Sequence, residues 1–147
     1  MIVCLCGTTR YRAGFERANK ELTQAGIVVL TVGWFAHTDE QKPDRAQKSL
    51  LDALHFRKIS MADAILVVDV NFIDAGAGCG TWHHGHDGYI GESTEREIAW
   101  ARLNGKHEFY VSQEGLRRLI ESHGTRMDSE HSRNRTDPAT AAGGSLR

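Results

Sequence analysis

The chain is short of three things that would each have narrowed its role. It has no excess of charge of either sign: 18 Lys and Arg stand against 19 Asp and Glu, a formal net charge of −1. Electrostatic capture of nucleic acid or of an anionic membrane surface needs a basic excess, and there is none. It has no long hydrophobic run. Apolar stretches such as 27–30 and 64–68 fall far short of the roughly 20 residues of a membrane-crossing helix. It has few cysteines: Cys4, Cys6 and Cys79 make an odd count of three. Met1-Ile2-Val3-Cys4-Leu5-Cys6 carries no basic segment and no small-residue cleavage site, so it reads as a first strand and not as a secretory signal. Together these features point to reduced thiols and a cytoplasmic location.

What is present has the length of one domain: 147 residues can bury one core. Residues 2–6 form a continuous apolar strand, and Cys4 and Cys6 share one face of it at i, i+2. A Cys-x-Cys metal site would need a matching second pair. None is spaced for it, so buried structural thiols are the better reading and no metal is expected. From residue 11 the period becomes helical, with Phe15, Ala18, Leu22 and Ala25 at three and four, until Gly26 stops it. A strand follows at 27–30. A second helix is predicted over 44–61, with Leu50, Leu51, Leu54 and Ile59 on its apolar side. Residues 64–70 are the clearest buried strand. The stretch 71–90 is rich in glycine and histidine and has no periodicity. A third helix spans 92–104, closed by Gly105; a strand covers 107–111 and a last helix 113–121. From 123 to 147 almost nothing large and apolar remains, so 1–122 is read as the folded domain and 123–147 as a disordered tail.

Strands alternating with helices imply parallel βαβ units in a doubly wound, mainly parallel α/β sheet of the flavodoxin or Rossmann kind, with strand order 2-1-3-4. That order has a switch point between the first and third strands, and ligands of such sheets bind outside the strand ends there. Two segments leave from that crevice. One is Gly7-Thr8-Thr9-Arg10, a turn into a helix with a glycine, two hydroxyls and a guanidinium, suited to an anion. The other leads into the third helix, where Thr94-Glu95-Arg96-Glu97 has the spacing of a capping box. Glu92, Glu95 and Glu97 bring more carboxylates to that helix start than capping needs. Paired carboxylates beside a crevice are also what glycosidic-bond cleavage uses.

Thr94-x-x-Glu97-Ile98-x-x-Ala101 followed by Gly105-Lys106 and a strand resembles the signature of the nucleoside 2-deoxyribosyltransferase family, which includes nucleotide N-glycoside hydrolases. Cys6-Gly7-Thr8-Thr9-Arg10 is similar to that family's early turn, and Ala62-Asp63 to the pair before its third strand. The resemblance covers roughly residues 2–112. It implies that Glu97 is a nucleophile attacking C1′ of a (deoxy)ribose, and that Glu92 protonates or orients the leaving base. His55 stands where the family carries an acidic residue, with Asp52 one turn earlier on the same side, and is assigned a catalytic place as acid or donor. Gly7, Thr8, Thr9, Arg10 and Tyr11 would contact the substrate from the first turn. Asp69, Gly91, Ser93 and Thr94 would do so from the second crevice segment.

The expected activity is cleavage or transfer at the N-glycosidic bond of a nucleoside or, given the anion donors, a nucleoside 5′-monophosphate, without a cofactor. A protein that binds such a nucleotide without turning it over is the alternative on the same fold. His83, His84 and His86 sit in the glycine-rich stretch and are read as part of a mobile lid, not as a metal site. No nucleic acid or membrane partner is expected. The resemblance implies a homodimer or larger homo-oligomer, with Trp100 and Tyr110 available for an interface.

Overall fold

The structure is a computed structural model that describes residues 1–36, 42–73, 81–83 and 88–133. Strand β1 (Ile2–Gly7) leads through a short 3-10 turn (Thr9–Tyr11) into α1 (Arg12–Gln24) and then β2 (Val28–Leu30). Helix α2 (Arg45–Met61), strand β3 (Ala64–Val68) and a hairpin of β4 (Asn71–Ile73) and β5 (Thr81–His83) follow. Helix α3 (Glu92–Leu103), strand β6 (His107–Tyr110), a 3-10 turn (Val111–Gln113) and α4 (Gly115–Arg133) complete the order. The four main strands pair in parallel in the order β2-β1-β3-β6. This is the expected 2-1-3-4 arrangement, with β6 as the fourth strand.

The pleat of β1 divides the core in two. Val3 and Leu5 face α1 and α4, where Phe15, Leu22, Leu116 and Leu119 close one layer. Cys4 and Cys6 face α2 and α3, where Ile59, Ile98 and Ala101 close the other. All five residues of β3 are buried. Helices on both sides explain why the central strands β1 and β3 are apolar throughout and do not alternate. No helix among the described residues is long and apolar enough to cross a membrane.

Three expectations are corrected. Of the residues expected on the apolar side of α2, Ile59 is buried and Leu51 half-buried, but Leu50 is 72% and Leu54 47% exposed, and His55 is buried in their stead. The stripe at 55, 59 meets the sheet, and 50, 54 points elsewhere on the helix. The stretch 71–90, expected to be structureless, contains the antiparallel β4–β5 ribbon. The last helix does not stop at 121 but runs to Arg133, and His123, placed at the start of a disordered tail, is buried within it. Polar residues and Gly124 hide that continuation from a periodicity argument. Residues 134–147 and the lid histidines His84 and His86 lie outside the described residues, as does Cys79.

At the switch point Gly7 pairs with Val68, so the carboxyl ends of β1 and β3 lie side by side. Gly7 has φ +147°, and a Cβ there would sit 2.5 Å from the Val68 carbonyl oxygen. Neither the angle nor the space suits a side chain. Gly7→Ala is expected to cost about 2 kcal/mol of stability, read as a lower melting temperature with unchanged far-UV circular dichroism.

Candidate active site

The two crevice segments and one face of α2 enclose a cavity of about 530 Å³. The first wall is the turn after β1. Thr8 caps it, its Oγ1 accepting from the Arg10 amide at 3.4 Å, and the Tyr11 amide donates to the Thr8 carbonyl at 3.0 Å. Gly7, Thr8, Thr9 and Arg10 all line the cavity. The Arg10 guanidinium lies 5.8 Å from the centre of the Tyr89 ring, which reaches across from the opposite segment.

The second wall is the start of α3. Its N-cap is Gly91, with no side chain capping it; the Glu95 amide donates to the Gly91 carbonyl at 3.0 Å. The helix therefore begins earlier than a Thr94 cap requires. Thr94 is a buried residue of the first turn, and Glu97 lies in the second turn. The capping-box role of Glu97 is thereby removed. Gly91, Glu92, Ser93, Thr94 and Glu97 line the cavity instead.

The third wall is α2, opened by a capping box between Asp44 and Gln47. Lys48, Leu51, Asp52, His55 and Lys58 face the cavity. They recur at three and four, so a single helical stripe carries them. Asp52 pairs with Lys48 at 3.1 Å and with Arg96 of α3 at 3.7 Å. Lys58 Nζ donates to the Thr31 carbonyl at 2.6 Å. Asp52 and His55 do share a side, as their spacing implied.

Below the cavity a buried polar cluster joins three elements. His55 Nε2 is 3.8 Å from Glu97 Oε2 and 4.0 Å from Cys4 Sγ. Glu97 Oε2 is buried without a hydrogen-bond partner among the described residues. Burial pushes the Glu97 carboxyl up to about 7, and the charges of Cys4 and Asp52 add to it against the pull of His55 and Cys6. Cys4 is lowered to about 6, chiefly by the Cys6 thiol hydrogen bond and then by His55. Cys6 is raised well above the usual thiol range by that same bond and by burial. For His55, burial pulls downward, but the hydrogen bond to Cys4 and the Glu97 charge outweigh it, so its pKa is raised.

Two residues assigned to the site do not line this cavity. Asp69 accepts from the Ser112 amide at 3.0 Å and from the Ser112 hydroxyl, tying the turn after β6 to the end of β3. Tyr11 packs against the apolar layer of α1. Conversely, Trp34, Lys42, Lys48, Lys58 and Tyr89 line the cavity without having been singled out. The signal for the two α2 lysines was the charged stripe 48, 52, 55, 58. For the others, on segments without periodicity, the sequence held none. Trp100 donates to the Ser60 hydroxyl at 3.1 Å, and Tyr110 donates to Glu108 at 3.0 Å, so both aromatics have partners within the chain.

The sheet and the crevice thus define a doubly wound α/β protein with a cavity at its switch point. No protein-family model matches the chain. No curated protein matches it in sequence. Among solved structures it is similar in fold to a 2-deoxyribosyltransferase from the psychrotolerant bacterium Bacillus psychrosaccharolyticus, with TM-score 0.51 and 12% identity over 75% of this chain and 71% of that one.

Proposed function

We propose that the protein cleaves or transfers the N-glycosidic bond of a nucleoside or nucleoside 5′-monophosphate, with Glu97 as the nucleophile. The observation that carries this reading is the position of Glu97. It is a carboxylate in the cavity wall that does not cap its helix and, among the described residues, pairs with no cation of Lys or Arg, facing a turn suited to an anion. The fold likeness to a deoxyribosyltransferase supports it.

In the first step a Glu97 oxygen bonds to C1′ while the C1′–N bond breaks, its electron pair leaving with the base. Glu92, the first residue of α3 and part of the cavity wall, supplies the proton to the departing nitrogen. In the second step water, or the nitrogen of another base, attacks C1′. The ester bond breaks, its electron pair returns to Glu97, and the attacking group gives its proton to Glu92. His55, at 3.8 Å from Oε2, holds the carboxylate in place and favours its ionised form when protonated. Gly7, Thr8, Thr9 and Arg10 receive the sugar or its phosphate, and Ser93 and Thr94 meet it from the α3 side. A homo-oligomeric state in a cytoplasmic setting accompanies this reading.

The test is incubation with nucleosides and their 5′-monophosphates, following free base by chromatography. Release of base from any of them supports the reading; none from any of them sinks it. With a monophosphate substrate, Arg10→Ala is expected to raise KM by about 10–100-fold, the loss of one charged hydrogen bond. With the unphosphorylated nucleoside KM should hardly change.

One observation favours a second reading, binding without turnover: His55 occupies a place where the resemblance implies an acid. A nucleotide-dependent rise in melting temperature without any free base would support it.

A further inference from the structure

We propose that Cys4, Cys6, His55 and Glu97 form a buried site for a borderline-soft divalent cation of the zinc class. The ion would take the Glu97 oxygen and so silence the reaction proposed above. The second half rests on that proposed function; the first half does not.

The second pair of ligands that the Cys-x-Cys spacing lacked is supplied by two helices. The pleat of β1 turns both sulfurs to one side, α2 brings His55 to them, and α3 brings Glu97. The ligand atoms of Cys4, Cys6 and His55 all lie within 4.8 Å of one another, with Cys4 Sγ to His55 Nε2 at 4.0 Å. Glu97 Oε2 is 3.8 Å from the same nitrogen. Around a tetrahedral ion with bonds of 2.0–2.3 Å, neighbouring ligand atoms stand roughly 3.3–3.8 Å apart. Cys4, Cys6 and His55 thus need to draw in by at most about 1.5 Å, within reach of side-chain torsions, and Glu97, beside the same imidazole nitrogen, turns in as the fourth ligand.

An independent observation points to a ligand here. Among the described residues Glu97 Oε2 is a buried oxygen with no partner at hydrogen-bond geometry, the Cys6 thiol being its near neighbour. Such an atom costs stability unless something satisfies it. An ion bonded to it would do so, and the cavity lined by Glu97 and His55 gives a way in. Two sulfurs with an imidazole select zinc-like ions over magnesium or calcium, which prefer all-oxygen sites. Binding releases to solvent whatever protons the two sulfurs still hold, so that both bond as thiolates. A carboxylate oxygen donating its lone pair to the ion is no longer available to attack C1′.

The experiment uses full-length protein stripped of metal by a chelator and titrated with Co²⁺ as a spectroscopic probe. The expected result is thiolate-to-cobalt absorption that saturates at one equivalent and is displaced by Zn²⁺. Cys6→Ser and His55→Ala should each weaken binding by more than about 100-fold, beyond the loss that removing an outer partner of a ligand brings. No thiolate absorption from folded wild-type protein overturns the site, and this outcome needs no variant to fold. For the second half, one equivalent of Zn²⁺ should abolish base release and a chelator should restore it. Full activity at full occupancy overturns the inhibition. If metal-free protein releases no base from any substrate, the proposed function has failed, and the cobalt spectrum still decides the site.

Discussion

Replacing Glu97 with glutamine is expected to lower base release by at least ~10³-fold, about 4 kcal/mol of barrier. Glutamine has the same shape but no anionic lone pair to form the ester. The turn that would hold the phosphate is untouched, so nucleotide affinity should change by less than about threefold. A merely structural carboxylate would give a different pattern. Glutamine would satisfy a helix start nearly as well, and no rate would depend on it. Helix capping does not account for Glu97, because Gly91 caps α3 through its backbone and Glu97 lies in the second turn. The measurement is a steady-state assay of free base beside a thermal-shift titration with nucleotide on the same protein.

The same substitution should stabilise the metal-free fold at alkaline pH. Burial holds the Glu97 carboxyl at about 7 instead of 4.5, so between these values the native state binds a proton that the unfolded chain has lost. Stability from this group is therefore highest at low pH and falls as pH rises toward and through about 7. A gap of that size corresponds to about 3 kcal/mol. His55 contributes in the same direction. Its raised native pKa adds stability below its unfolded value that is lost as pH rises through the folded one. The groups facing the Glu97 carboxyl are Cys4 and Cys6 from β1 and Asp52 and His55 from α2, so the transition reports the cluster as a whole. In chelator-treated protein at pH 8, Glu97→Gln should melt about 10 °C above wild type. Near pH 4.5 the two should melt together. Equal slopes of melting temperature against pH in both proteins would show that the carboxyl is not strained by burial.

Much of the fold was legible because parallel sheets write themselves plainly. Continuous apolar strands at 2–6 and 64–68, separated by a helical period, fixed both the layers and the strand order. That order in turn pointed to the crevice where Gly7, Arg10 and Glu97 now stand together. What was not legible has physical causes. The start of α3 at residue 92 was legible, but a glycine cap leaves no side-chain signature, so a cap was sought at Thr94 when the backbone of Gly91 carries it. The leucines of α2 outweigh His55 in hydropathy, yet His55 is the one that the sheet buries, because Cys4 and Glu97 give it polar neighbours there. Asp69 looked like a ligand at a strand end. Ser112, 43 positions later, takes its carboxylate, and no local pattern announces that. The cluster of two thiols, an imidazole and a carboxylate draws on three elements, so only the folded chain assembles it.

The most direct test of Glu97 as nucleophile is to trap the ester. A 2′-fluorinated nucleoside or its 5′-monophosphate slows both steps of a retaining glycosyl transfer by destabilising positive charge at C1′, and so lets the intermediate accumulate. Metal-free protein incubated with it is digested and read by mass spectrometry. The account predicts one fluoropentosyl adduct, located on the peptide that contains Glu97 and absent from Glu97→Gln. Free base released from the natural substrate with no adduct on that peptide, or an adduct on another residue, would contradict it.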